Sequence, residues 1–219
     1  MIGLSYLWPM NPARKPSQPG RRNPRRVNPA QVFLNVPYDA SYERILVALT
    51  AALVAVGRVP RLTFQIPEQG QGRLQRIFDL LKSCRVSIHD LSAVGQPVRF
   101  NMPFELGLAC AIKRQTGRHD FLILERKRYR LHKHLSDADG IDPKIHHGTA
   151  QGAICAILEV IEKPGGNPPA AEVMKLFRRM NSMVPNFKAR HGKRPLFSPQ
   201  VYGELVAYGW AAARDMGLL

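Results

Sequence analysis

Short apolar runs alternate with helical patterns of hydrophobic residues through the middle of this chain. Strands that alternate with helices are typical of βαβ units, whose strands pair in parallel. The alternation therefore predicts a doubly wound α/β domain over residues 32–162, with a parallel sheet of four or five strands. The predicted strands are residues 32–38, 61–66, 86–90, 119–124 and 144–147.

Both flanks of this domain are basic. Residues 1–31 contain six Lys or Arg, many prolines and no acidic residue. Such a composition cannot form a core and predicts a disordered arm. Residues 163–219 open with a Pro/Gly-rich linker and continue with two amphipathic helical patterns, which predict a small helical appendage. The net charge of +16 is concentrated in these flanks, so contact with nucleic acid is possible, and so is a simply solvated surface.

The cysteines and the hydropathy pattern restrict the class of protein. Cys84, Cys110 and Cys155 lie far apart and form neither a disulfide framework nor a zinc pattern. We therefore expect buried thiols in a reducing cytoplasm and no bound metal. No apolar run approaches the roughly 20 residues that span a bilayer, so we also expect no membrane association.

Two carboxylates are predicted at one edge of the sheet. Asp90 ends the third predicted strand, and Asn101 and Pro103 are typical of a helix start that brings Glu105 into the first turn. In open α/β sheets, ligands bind beyond the carboxyl ends of the strands. A pair of carboxylates at such an edge can act on a glycosidic bond. Taken alone, a glutamate in a first helical turn also simply offsets the helix dipole.

The segment Ile88-His89-Asp90-Leu91-Ser92, followed by Asn101-x-x-Phe104-Glu105-Leu106-Gly107, resembles the bacterial TIR-like proteins. It is also similar to the related nucleoside 2-deoxyribosyltransferase superfamily. The resemblance covers roughly residues 32–161. It implies a flavodoxin-like or TIR-like fold and cleavage of the N-glycosidic bond of NAD or a related nucleotide, often in bacterial antiviral defence. NAD is then a substrate, and no cofactor is expected.

The resemblance also implies roles for particular residues. Glu105 would attack or polarise the glycosidic bond, and Asp90 would orient the ribose hydroxyls or the leaving group. The loop after the first strand would hold the ligand. The remaining candidates for substrate binding are Asn35, Tyr38, Asp39, Arg73 and Asn101. Each of these has a simpler interpretation: turn formation for the first three, a solvated loop for Arg73 and a helix cap for Asn101.

Other functions remain open at this point. One alternative is a deoxyribosyltransferase-like enzyme that releases a nucleobase from a nucleotide. Another is a non-catalytic module that binds a nucleotide or a second TIR-like chain as a scaffold. A third is a nucleic-acid binder that acts through the basic flanks. The resemblance also implies that a homo-oligomer forms on activation.

Overall fold

The five strands form one parallel sheet. The computed structural model describes residues 27–66, 72–92, 101–128 and 142–219. Within these, the strands are β1 (Asn28–Asn35), β2 (Val59–Arg61), β3 (Cys84–Asp90), β4 (Asp120–Glu125) and β5 (Lys144–Ile145). Their order across the sheet is β2-β1-β3-β4-β5, and every neighbouring pair is parallel. The predicted doubly wound α/β fold is therefore confirmed.

Six α-helices accompany the sheet in the described part of the chain. They are α1 (Glu43–Ala55), α2 (Arg73–Ser83), α3 (Asn101–Thr116), α4 (Ala150–Leu158), α5 (Ala170–Arg190) and α6 (Pro199–Asp215). Helices α2 and α3 cover one face of the sheet, where their apolar residues pack on Phe33 and Ile123. Helices α1 and α4 cover the other face, where they pack on Leu34 and Ile88.

All five strands differ from their predicted bounds, the last three by at most two residues at either end and the first two by more. The first strand begins at Asn28 and ends at Asn35, so it starts inside the segment that the composition predicted to be disordered. The second strand is Val59–Arg61, and the predicted residues 61–66 instead form a turn of 3₁₀ helix at Thr63–Gln65. The Gln65 side chain accepts the N–H of Leu62 at 2.9 Å and closes this turn. The alternation of apolar and polar residues in this segment therefore belongs to a 3₁₀ turn and not to a strand.

The C-terminal helices pack on the same core as the sheet. Helices α5 and α6 lie against α1, and their buried residues belong to one cluster with the sheet residues Leu34 and Ile88. Every residue of α1 from Ile45 to Ala55 is buried, because the sheet lies on one side of this helix and the C-terminal pair on the other. A helix that is apolar on all sides is expected to be enclosed in this way.

Polar ties fix the C-terminal pair to α1. Thr50 and Tyr202 pair through their hydroxyls at 3.0 Å inside the core. Glu43, at the start of α1, accepts from Lys188 at 2.6 Å and from the N–H of Leu196 at 3.3 Å. These contacts set the position of the segment between α5 and α6.

Most of the predicted basic arm, residues 1–26, lies outside the described residues. Among the helices that the structure does describe, none combines the length and the apolar character needed to cross a membrane.

Candidate functional site

The strand order places the candidate site between β1 and β3. The chain leaves β1 toward β2 and then returns to the other side of β1 to form β3, so the connections diverge at this point. Ligands of doubly wound folds bind at such a switch point, beyond the carboxyl ends of the strands. Asn35 ends β1 and pairs in register with His89, and Asp90 ends β3. The predicted residues of both strands therefore lie at this edge.

Glu105 and Arg73 form an ion pair near this edge. Glu105 lies in the second turn of α3 and not in the predicted first turn, because the helix already includes Asn101. Arg73 is the first residue of α2. A guanidinium nitrogen of Arg73 lies 3.5 Å from Glu105 Oε1. The Glu105 side chain is only 3% exposed, whereas the Arg73 side chain is 51% exposed. Burial raises the pKa of the Glu105 carboxyl above its ordinary value, and the positive charge of Arg73 partly offsets this.

Tyr38 joins this pair to a cluster of aromatic rings. The Arg73 guanidinium lies over the Tyr38 ring, 5.7 Å from its centroid. Phe197 stacks on Tyr38 at 5.2 Å between centroids, and Phe64 contacts Tyr38 edge-on at 5.4 Å. Phe197 lies between α5 and α6, so the C-terminal region contributes a ring to the surroundings of the candidate site.

The Asp90 carboxylate is occupied by protein donors. Its side chain is fully buried, at 0% exposure. Tyr42 donates its hydroxyl to Oδ2, the N–H of Ser92 donates to Oδ1 at 2.8 Å, and His146 Nε2 lies 3.1 Å from Oδ2. These contacts join the end of β3 to α1 and to the residue after β5. They do not favour the predicted contact of Asp90 with a ribose hydroxyl, which stays a prediction.

The Asp90, His146 and Ser92 side chains do not form a catalytic triad. Nδ1 of His146 accepts the N–H of Gly148 at 3.0 Å, which assigns the ring proton to Nε2. Asp90 and Ser92 both contact this same Nε2, the hydroxyl at 2.9 Å. In a triad the acid and the hydroxyl contact opposite ring nitrogens. The imidazole here cannot move a proton between Ser92 and Asp90 in that manner.

A buried chain of hydrogen bonds runs from Asn35 into the sheet. Nδ2 of Asn35 lies 3.0 Å from His89 Nδ1 and also donates to the carbonyl of Met102, in the first turn of α3, at 3.5 Å. The Ser87 hydroxyl lies 2.8 Å from both His89 Nε2 and His119 Nε2. Asn35 is thus placed to position the start of α3, the helix that carries Glu105.

The remaining predicted residues have separate environments. The Asp39 carboxylate accepts the N–H of Ser41 at 2.8 Å and caps the short 3₁₀ helix Ala40–Tyr42, which is the turn role foreseen as its simpler interpretation. Asn101 is the first residue of α3 and is exposed. The structure therefore brings Glu105, Arg73 and Tyr38 together. Asn35 is connected to them through its hydrogen bond to the start of α3.

The cavities described elsewhere in the molecule do not include these residues. One of about 760 Å³ lies at the opposite end of the sheet, lined by Val32, Arg85 and Phe121 among others. Another of about 360 Å³ lies beside β5 and α4. We place the candidate site by side-chain chemistry and strand topology, because Glu105 is a buried acid near the carboxyl ends of the strands. Within residues 27–66, 72–92, 101–128 and 142–219, no group of three His, Cys, Asp or Glu side chains is placed to hold a metal ion.

Sequence reasoning missed several residues around the site. Phe197 gave no signal, since it lies more than 150 residues after Tyr38 in the chain. His89 and His146 did carry a signal, because each is a polar residue in or beside an apolar strand. Buried polar groups in strands are expected to have hydrogen-bond partners.

Comparison of the chain with protein-family models, with curated proteins and with solved structures gives no match. The function is therefore argued from the strand topology and from the chemistry around Glu105.

Proposed function

We propose that this protein cleaves the N-glycosidic bond of NAD or a related nucleotide. The observation that carries the proposal is the buried Glu105 carboxylate, paired with Arg73 near the switch point of the sheet. The resemblance of the Asn101–Gly107 segment to TIR-like proteins supports the same reaction. A buried acid with a shifted pKa near a ligand-binding edge is a candidate for catalysis.

The chemistry asks for a negative charge beside the sugar. In NAD the bond between the ribose C1′ and the positively charged nicotinamide nitrogen breaks, and its electron pair neutralises the ring. Positive charge then develops on the ribose as an oxocarbenium-like transition state. Glu105 stabilises this charge through its carboxylate. Water then adds its hydroxyl to C1′ and releases one proton, so the products are nicotinamide and ADP-ribose.

The neighbouring residues have supporting roles in this proposal. Arg73 is half exposed and carries the charge and the planar fork that suit phosphate oxygens. The face of the Tyr38 ring contacts the Arg73 guanidinium and helps to hold it in position. Asp90 is a positioning residue, since its oxygens receive Tyr42, Ser92 and His146 and hold the end of β3 in place.

The wider role rests on the resemblance alone. By analogy with TIR-like proteins, the activity belongs to bacterial antiviral defence and requires a homo-oligomer for activation. Assays therefore need to cover a range of protein concentrations, so that an assembled state is sampled.

A comparison of substrates tests the proposal against its nearest rival. We expect the full-length protein to release nicotinamide from NAD and to leave deoxynucleosides and deoxynucleotides intact, measured by chromatography of the products. Release of free base from the deoxynucleosides alone would instead favour a deoxyribosyltransferase-like activity. Binding of NAD without release of nicotinamide at any protein concentration would favour a scaffold.

A further inference from the structure

The acid and the base of the Glu105–Arg73 pair differ in their surroundings. Glu105 is almost completely buried, and the partner that the structure gives its carboxylate is a side chain with half of its surface in solvent. Arg73 comes from the start of α2 and Glu105 from α3, so this ion pair connects two different helices. The buried charge thus depends on a counter-ion that solvent and ligands can reach.

The contact that holds Arg73 is long. The separation of 3.5 Å exceeds the 2.7–2.9 Å of a strong charge-assisted hydrogen bond. The other contact described for the guanidinium is the face of the Tyr38 ring, at 5.7 Å. A phosphate group offers the same guanidinium two short parallel hydrogen bonds. A phosphorylated ligand can therefore compete with Glu105 for Arg73.

Removal of Arg73 alone would leave Glu105 buried without a counter-ion. An uncompensated charge in a protein interior is strongly unfavourable. Burial already raises the pKa of Glu105, and Arg73 is the neighbour that lowers it. A ligand whose phosphate group binds Arg73 is therefore bound most tightly when the same ligand also places a positive charge beside the Glu105 carboxylate.

We infer that Arg73 is a displaceable counter-ion of Glu105, and that the site selects ligands which carry a phosphate group and a positively charged ring together. A dinucleotide with a pyridinium ring meets both requirements: its phosphates receive Arg73 and its ring replaces Arg73 beside Glu105. This inference rests on the proposed function and names the feature of the substrate that the site recognises.

The first test compares two ligands that differ by the ring charge. Carba-NAD⁺ keeps the pyridinium and resists cleavage, and its reduced form has a neutral ring. We expect the wild-type protein to bind carba-NAD⁺ at least tenfold more tightly than the reduced form, by calorimetry. Glu105→Gln removes the carboxylate charge and should abolish this preference. Equal affinity of the wild type for the two forms would overturn the inference.

A second variant tests the part played by Arg73. Arg73→Gln should weaken the binding of both dinucleotides by a similar factor, at least fivefold, since both use the phosphates. Lys82→Gln is the matched control, because Lys82 lies on the same helix over the Phe78 ring at 5.8 Å. It should leave both affinities unchanged. If Lys82→Gln weakens binding as much as Arg73→Gln, the effect is one of net charge and the inference is wrong.

The titration of Glu105 reports directly on the exchange of counter-ions. In a ¹³C carboxyl spectrum, with the Glu105 signal assigned by its loss in Glu105→Gln, ADP-ribose should raise the pKa of Glu105 because it draws Arg73 away. Carba-NAD⁺ should raise it less. An unchanged pKa with ADP-ribose bound would contradict the inference and leave the proposed function standing. Failure of every dinucleotide to bind would overturn both.

Discussion

At the scale of single residues, the hydrogen bonds around β3 have one consistent direction. Asn35 donates to His89 Nδ1, which leaves Nε2 of His89 to donate to Ser87. The Ser87 hydroxyl then donates to His119, whose other ring nitrogen donates to the carbonyl of Cys84 at 3.1 Å. Every donor and acceptor in this series of hydrogen bonds has a partner only while both histidines are neutral.

The stability of the fold should therefore fall in acid. Burial, with a smaller contribution from His119, lowers the pKa of His89 to about 3, against an ordinary value of about 6.5. The unfolded chain takes up the proton first as the pH falls. The contribution of His89 to the free energy of unfolding should be fully present above pH 6.5. Below that pH it should decrease by about 1.4 kcal/mol per pH unit toward pH 3. Burial lowers the pKa of His119 as well, which adds to the effect with the same sign.

Denaturant unfolding between pH 4 and 7 measures this slope. His89→Gln keeps an acceptor and a donor but cannot be protonated, so it should be less stable at pH 7 and show a flatter acid slope. His147→Asn removes an exposed histidine at a positive φ that asparagine tolerates, and should leave the slope unchanged. An identical acid slope in the wild type and in His89→Gln would show that His89 is not the group responsible.

At the scale of elements, the backbone of the turn from β5 into α4 packs closely against Gly152. A Cβ atom added at Gly152 would lie 2.2 Å from the carbonyl oxygen of His146. Backbone cannot yield as a flexible side chain can, so any larger residue must displace His146. His146 is also a partner of Asp90, so the turn is coupled to the end of β3.

Gly152→Ala should therefore lower the free energy of unfolding by about 1–3 kcal/mol, the usual cost of overpacking. Gly203→Ala is the control, because Gly203 lies inside α6 with open space around its Cβ position. That change should stabilise the protein by about 0.4–1 kcal/mol. Thermal unfolding of both variants gives the comparison. A Gly152→Ala protein as stable as Gly203→Ala would show that the turn is free to move.

Most elements could be predicted from the sequence, because periodicity records which side of an element is buried. Both C-terminal helices and α1 follow from their apolar patterns. The start of β1 at Asn28 could not be predicted, since Asn28 and Pro29 are poor strand residues and only pairing with β3 explains them. The 3₁₀ turn at Thr63–Gln65 was missed because its apolar residues alternate as in a strand.

At the scale of the whole molecule, the C-terminal helices are a layer of the fold. They enclose α1 from the side that the sheet leaves open, and they place Phe197 on Tyr38. The sequence predicted both helices, but it could not predict that contact, since no local pattern relates residues so far apart. Glu105 and Arg73 were predicted separately, as a catalytic residue and as a candidate for substrate binding, and their ion pair was not predicted.

The central claim is that Glu105 is catalytic, and one substitution tests it most directly. Glu105→Gln keeps the shape of the side chain and removes its charge. We expect nicotinamide release from NAD to fall by about 10²–10⁴-fold, the range lost with catalytic acid–base groups, while the protein stays folded. Glu159→Gln, at an exposed carboxylate paired with Lys144, is the control and should retain full activity. If Glu105→Gln releases nicotinamide as fast as the active wild type, Glu105 is only a charge near a helix terminus and the proposed mechanism is wrong.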